Sequence, residues 1–315
     1  MVTPFALLCL SIAIIESMAG ILGAGIILSA SPWSCIRGKT RSPYDTIVIS
    51  LSSSVTILQT WITLDFLMNI FYEPFFYRKD LLKMTRIIFT FLNYSSLWFG
   101  AWLSVFYCIK VATFTQSFFI WLKQRIARLV PWMLLTSWLC SFITAIPFIW
   151  DDYALQRNFT TPQPMTNTSA MRTTKKDSLA LLILLCNVGI GMPFILSVVS
   201  SVLLIRSLWI HRRRMQNNAS GFRDPSSKAH ISAIKSVCSL LIIYIIYFIC
   251  VLIILFKIFP ALSIGDSICI VVMAACPTGH TLVLIWSNPK FREQPARIWH
   301  HINSCLKALC SLSPS

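Results

Sequence analysis

Charge is scarce in this sequence. Asp, Glu, Lys and Arg make up 12% of its 315 residues, and only eleven are acidic. So little charge cannot cover a water-exposed surface, and with 56% hydrophobic residues and a mean hydropathy of +0.70 the composition excludes an ordinary soluble domain. No CxxC pair occurs, which excludes a zinc site of the usual spacing. None of the eleven cysteines falls in the loops at 72–86 and 151–177, which the charge pattern below puts outside, so no extracellular disulfide framework is expected. The chain also lacks internal repeats of the kind that mark the inverted halves of a transporter. It shows no catalytic constellation: four of its five histidines, His211, His230, His300 and His301, lie in hydrophilic segments, and His280 is alone in an apolar run. That run contains no lysine, which removes a retinal Schiff base, and nothing in the sequence calls for a metal or a cofactor.

What is abundant is long apolar sequence. Runs occur at about Phe5 to Ala30, Thr46 to Phe71, Ile87 to Ala112, Leu129 to Trp150, Ser178 to Leu208, Ser236 to Phe259 and Ser267 to Trp286. Each is long enough to cross a bilayer as a helix and far too long for a barrel strand. Met1 to Ala30 lacks a basic leader and its apolar stretch exceeds that of a signal peptide, so it reads as a first span. The expected fold is all-α: a bundle of seven transmembrane helices over residues 1–289, followed by a cytoplasmic tail at 290–315.

The formal charge of +16 comes in clusters between the apolar runs and reads as a topology signal rather than a nucleic-acid surface. Basic residues concentrate in alternate loops, at Arg37 to Arg41, Lys110 to Arg128, Arg206 to Lys235 and Lys290 to Lys307. The other side holds fewer, which puts the N-terminus outside and the C-terminus in the cytoplasm, as for a multi-pass plasma-membrane protein. The sequons at Asn158 and Asn167 both fall in a loop that this count places outside.

Polar groups within spans are expensive and therefore informative. Glu16 and Asp65 are the only acids there; Glu16 fits an interhelical hydrogen bond as well as a ligand contact. Pro193 and Pro277 remove backbone donors within spans and allow kinks, which with His280 makes a candidate switch. The third cytoplasmic loop opens on His211, Arg212, Arg213 and Arg214, a basic extension suited either to anionic lipid or to a protein partner.

Several stretches resemble the bitter taste receptors, a group of seven-helix G-protein-coupled receptors. Ala101-Trp102-Leu103-Ser104-Val105-Phe106-Tyr107-Cys108-Ile109-Lys110 is similar to the end of their third span. Leu203 to Leu208 with His211, Met215 and Gln216 resembles their fifth-span exit, Asp224-Pro225-Ser226 with Ala229 and His230 their third loop, and His280 to Asn288 their seventh-span ending. The chain also lacks the acidic-arginine pair, the tryptophan-proline motif and the bridging cysteine of ordinary rhodopsin-like receptors, as bitter receptors do. It departs from the family pattern at Ala24 and Val55, where asparagine and arginine are usual; the two look jointly replaced by apolar residues.

The resemblance implies a receptor for small, mostly apolar bitter compounds, coupled to a gustducin-like heterotrimeric G protein through Lys110, Lys123 and the His211 to Arg214 cluster. It implies a ligand pocket lined by Phe66, Phe89, Asn93, Tyr247 and Ile270. A vomeronasal-type pheromone receptor and, from a different class, a small transporter or channel are the competing readings.

The outer-loop sequons yield a direct check on the orientation. Glycosidase should increase the gel mobility of the expressed protein, and Asn→Gln at both Asn158 and Asn167 should abolish that shift; a shift that survives the double substitution overturns the loop assignment.

Overall fold

The computed structural model describes residues 4–30, 42–71, 79–111, 117–146, 189–210, 213, 225–255, 258–259, 264–296, 299 and 303–304. They form an all-α bundle. The helices are α1 (Pro4–Ala30), α2 (Pro43–Phe71), α3 (Lys79–Val111), α4 (Ser117–Ala145), α5 (Gly189–Ile210), α6 (Pro225–Leu255), α7 (Ile264–Ser287) and the short α8 (Pro289–Arg292). Within the described residues, α1, α2, α4 and α5 each hold a stretch long and apolar enough to cross a membrane, and α6 and α7 hold shorter apolar stretches, Val237–Ile253 and Val271–Ser287.

Several helices outrun the apolar runs that announce them. α4 begins at Ser117, well ahead of the run at Leu129, so Lys123, Arg125 and Arg128 stand on a helix and not in a loop. α6 likewise begins at Pro225, taking in part of the expected third loop. Hydropathy marks where lipid is, whereas a helix continues into the polar region for as long as its backbone hydrogen bonds are worth keeping.

The bundle is apolar on both its inner and its outer faces. Ile15, Leu22, Trp132, Ile195 and Ile249 are largely exposed, which suits lipid as solvent. Inside, the largest core cluster joins Ile27 of α1, Val48, Leu51 and Val55 of α2, Phe99, Leu103 and Phe106 of α3, Val130 of α4, Leu284 of α7 and Phe291 of α8. A second joins α3, α5 and α6 through Tyr94, Leu97, Ile190, Tyr244 and Tyr247, and a third joins the same helices through Cys108, Leu204, Leu208 and Val237. A fourth joins α2 and α3 through Leu58, Ile62 and Leu92. α3 contributes to all four and is the central helix.

Hydroxyls within the helices are largely satisfied locally. Thr56, Thr60 and Thr63 of α2, Ser137 and Ser141 of α4, and Thr281 of α7 each donate to the carbonyl four residues back, at 2.6 to 3.0 Å. Gln59 is handled differently. Its side chain is fully buried, accepts from Ser17 Oγ of α1 at 3.0 Å, and donates to the Ala274 carbonyl at 3.0 Å and to Thr278 Oγ1 of α7 at 3.1 Å. Thr278 in turn donates to the Glu16 carbonyl at 3.1 Å. α1 can come this close because Gly20 has no side chain: a Cβ there would lie 2.5 Å from Thr278 Oγ1 and 3.2 Å from Gln59 Cγ. Glu16 fits an interhelical tie or a ligand contact by sequence alone. Its backbone carbonyl makes the tie, while Oε2 is buried with no hydrogen-bond partner among the described residues.

Gln59→Leu removes three interhelical bonds that in membranes average about 0.6 kcal/mol each and reach about 1.7. A loss of about 1–3 kcal/mol is therefore expected, read as a lower melting temperature of the solubilised protein, with Ser17→Ala losing a smaller part. An unchanged melting temperature for Gln59→Leu would remove the node as a stabilising element.

Candidate ligand cavity between the central helices

A small, partly open cavity lies between α2, α3, α6 and α7. Its wall is mostly apolar, with Leu51 and Val55 from α2, Leu97 from α3 and Ile243 from α6. Polar groups enter at Asn93, Ser96, Tyr244, Tyr247, Cys276 and His280. Small-molecule sites usually combine such a wall with a few polar groups that fix orientation.

Nearly all of these polar groups are already engaged. Asn93 Nδ2 of α3 donates to the Tyr247 hydroxyl of α6, and both side chains are buried. The Tyr244 hydroxyl donates to the Leu97 carbonyl of α3, and Ser96 Oγ to the Asn93 carbonyl at 2.7 Å. Cys276 Sγ sits 3.8 Å from the Ile243 carbonyl. The exception is His280, 7% exposed, whose Nδ1 has no hydrogen-bond partner among the described residues. Gly100 makes room for it: a Cβ at this position of α3 would stand 3.2 Å from the Tyr244 hydroxyl and 3.4 Å from His280 Nε2.

The structure thus brings Asn93 and Tyr247 together, along with Pro277 and His280 from the expected switch. Pro277 lies within α7, which continues through it. Pro193 is buried in α5, outside the cavity wall. Phe89 stands one turn before Asn93 on α3 and packs beside Leu58, Ile62 and Leu92. The side chains of Phe66 and Ile270 lie outside the described residues, as do Asn158 and Asn167. Of the basic residues, Lys110 is exposed at the end of α3 with Nζ 5.7 Å from the Phe106 ring, and Lys123 is exposed on α4. Arg213 is exposed beyond α5, and His211, Arg212 and Arg214 lie outside the described residues.

One further polar arrangement within the bundle carries no charge and so stands out in no count of charged residues. Tyr44 at the start of α2 accepts from the Tyr107 hydroxyl of α3 at 3.2 Å and from Asn288 Nδ2, just after α7, at 3.1 Å. The Tyr44 ring also stands 6.1 Å from that of Phe106. Tyr107 and Asn288 both sit in segments that carry the family resemblance, but nothing in the sequence pairs them with Tyr44.

The architecture resembles that of squid rhodopsin, whose crystal structure superimposes with a TM-score of 0.59 over 96% of this chain and 88% of that one, at 15% identity. That likeness concerns fold alone. The family comparison is more specific: the model of the taste receptor protein family (TAS2R) matches residues 1–303. The chain is 57% identical over 307 residues to taste receptor type 2 member 40 of Gallus gallus, covering 98% of this chain and 99% of that protein. The chain belongs to the bitter taste receptor family. It is 32% identical to taste receptor type 2 member 39 of Homo sapiens, over 94% of this chain and 88% of the human protein. The receptor is accordingly a G-protein-coupled receptor for bitter compounds, seated in the plasma membrane by several membrane passes, and not an enzyme. Nothing in these matches favours the pheromone-receptor or transporter readings. At the two positions where this receptor departs from the family pattern, Ala24 and Val55 are both fully buried and apolar, so no polar group is left unpaired there.

The Asn93–Tyr247 bond makes the two residues testable as a pair. Asn93→Ala and Tyr247→Phe should each weaken agonists that hydrogen-bond by about 1 kcal/mol, a roughly fivefold rise in EC50, with little effect on purely apolar agonists. The double variant should lose less than the sum of the two. Equal losses for every agonist, after normalising to surface expression, would make the pair a helix tie and not a ligand contact.

Proposed function

We propose that the receptor crosses the membrane seven times with its N-terminus outside and binds small, mostly apolar bitter agonists in the cavity beside Asn93 and Tyr247. It would pass the signal to a gustducin-like heterotrimeric G protein. The observation that carries this reading is the Asn93–Tyr247 bond across the cavity, which joins α3 to α6 in a chain of the bitter receptor family. An agonist that offers its own hydrogen-bonding group to either side chain competes with that bond. Because the competition favours a packing in which α3 and α6 are less tightly joined, binding shifts the population toward it. The ring of Tyr247 supplies apolar contact and Asn93 supplies orientation, and the family resemblance adds Phe66, Phe89 and an uncharged Ile270 to the residues that would meet the agonist.

At the cytoplasmic end, Lys110, Lys123 and the His211 to Arg214 cluster offer the G protein a basic surface, with Pro193, Pro277 and His280 at the bending points. Glycan on Asn158 and Asn167 belongs to the outer face. The receptor domain over residues 1–289 is followed by a tail at 290–315 whose first turn folds back, with Phe291 buried among Ile27, Val48 and Leu284. No cofactor, metal or nucleic acid has a part in this scheme.

Cells that co-express the receptor with a promiscuous G protein should show calcium transients to members of a bitter-compound library. Cells carrying a receptor confirmed at the surface that stays silent across the library would overturn the ligand reading.

A further inference from the structure

α4 turns one face into the bundle and the opposite face away from it. Val130, Ser137 and Ser141 are buried, and Trp102 Nε1 of α3 pins the inward face by donating to Ser137 Oγ at 2.7 Å. At about 100° per residue, the opposite face carries Trp121, Arg125, Arg128, Trp132, Leu135 and Leu139 in one line. All six are exposed, Trp132 by 65% and Leu139 by 54%.

The order along this line matches a phospholipid. Two guanidinium groups come near the start of the helix, with an indole on either side, and aliphatic side chains follow toward the middle of the bundle. The Arg125 guanidinium lies 5.2 Å from the Trp121 ring centroid, which holds it against the helix surface. α4 contains no Asp or Glu to neutralise the pair. Tryptophan is favoured at headgroup depth because its ring is apolar and its N–H polar. Arginine matches phosphate geometry with two parallel hydrogen bonds.

We infer that this outward stripe of α4 is a docking site for an anionic phospholipid, the phosphate held by Arg125 and Arg128 between Trp121 and Trp132 and an acyl chain lying along Leu135 and Leu139. The inference of which leaflet supplies the lipid, the cytoplasmic one, rests on the orientation proposed above; the binding itself does not. The site differs from the basic extension after α5, being built on a helix within the bundle.

The test uses the full-length receptor in nanodiscs of phosphatidylcholine, with binding of a fluorescent phosphatidylserine as the readout. Both leaflets of a nanodisc carry the same lipid, so the result is independent of orientation. Each basic residue at an anionic surface contributes on the order of a fivefold preference, so Arg125→Gln and Arg128→Gln should each lower binding by about that factor. Lys123 is exposed too but lies on the Val130 side of α4, opposite the stripe, so Lys123→Gln removes the same charge from outside the site and should change binding little. A soluble headgroup without acyl chains should compete poorly. Binding that is unaffected by the two arginine variants, lowered equally by Lys123→Gln, or displaced as well by the free headgroup as by the lipid would overturn the site. Surface detection of an N-terminal epitope on intact cells tests the orientation separately, so the two failures are distinguishable.

Discussion

Inside a bilayer there is no water to complete a hydrogen bond, and the arrangement of this receptor follows from that constraint. A buried polar side chain must find its partner on its own helix or on a neighbour. Serines and threonines mostly take the first course, bonding to the carbonyl one turn back, which leaves helix spacing free. Gln59, Asn93 and Tyr44 take the second, and each fixes the distance between particular helices. Gln59 joins α1, α2 and α7; Asn93 joins α3 to α6; Tyr44 joins α2 to α3 and to the residue after α7. The apolar clusters fill the space between these ties without specifying them, because lipid competes for apolar contact as protein does.

Glycine makes the ties possible. Gly20 lets α1 approach Gln59 and Thr278, and Gly100 lets Tyr244 and His280 approach the backbone of α3. At Gly20 a methyl group would overlap a hydrogen-bonding atom, 2.5 Å from Thr278 Oγ1, and at Gly100 it would crowd the Tyr244 hydroxyl at 3.2 Å. Close helix approach and polar pairing are therefore one feature, and neither would be stable in lipid without the other.

The helices were legible because hydropathy is a local property: a run such as Thr46 to Phe71 identifies a span wherever its neighbours lie. The helix starts were not. Ser117 and Pro225 precede their apolar runs because the backbone stays hydrogen-bonded beyond the hydrocarbon. Charge drew attention to Glu16, but charge is a poor guide to ties made of amides and hydroxyls, so Gln59 and Tyr44 went unmarked while Glu16 Oε2 has no partner among the described residues. Asn93 and Tyr247 were reached through family resemblance, and only folding reveals that they bond to each other, since 154 residues separate them in sequence.

The central helix links the cavity to the end of the bundle where α3 finishes by geometry alone. Asn93, Leu97, Gly100, Ser104 and Tyr107 recur at three- and four-residue intervals and so share one face of α3. Each meets a neighbour: Asn93 bonds to Tyr247, the Leu97 carbonyl to Tyr244, and Tyr107 to Tyr44. Gly100 lies against Tyr244 and His280, and Ser104 Oγ is 3.4 Å from Ser197 Oγ of α5. Spatial continuity is not energetic coupling, which requires an element with two arrangements that both ends can bias. α7 and the residue after it meet that face at Gly100 and, through Tyr44, at Tyr107. Pro277 removes a backbone donor in mid-helix, Gln59 of α2 and the Glu16 carbonyl of α1 hold one of its sides through Ala274 and Thr278, and His280 reaches the α3 face on another, its Nδ1 without a partner among the described residues. His280 at the cavity wall and Asn288 at the Tyr44 tie thus stand on one helix and the residue that follows it, so the cavity and the tie share a single support.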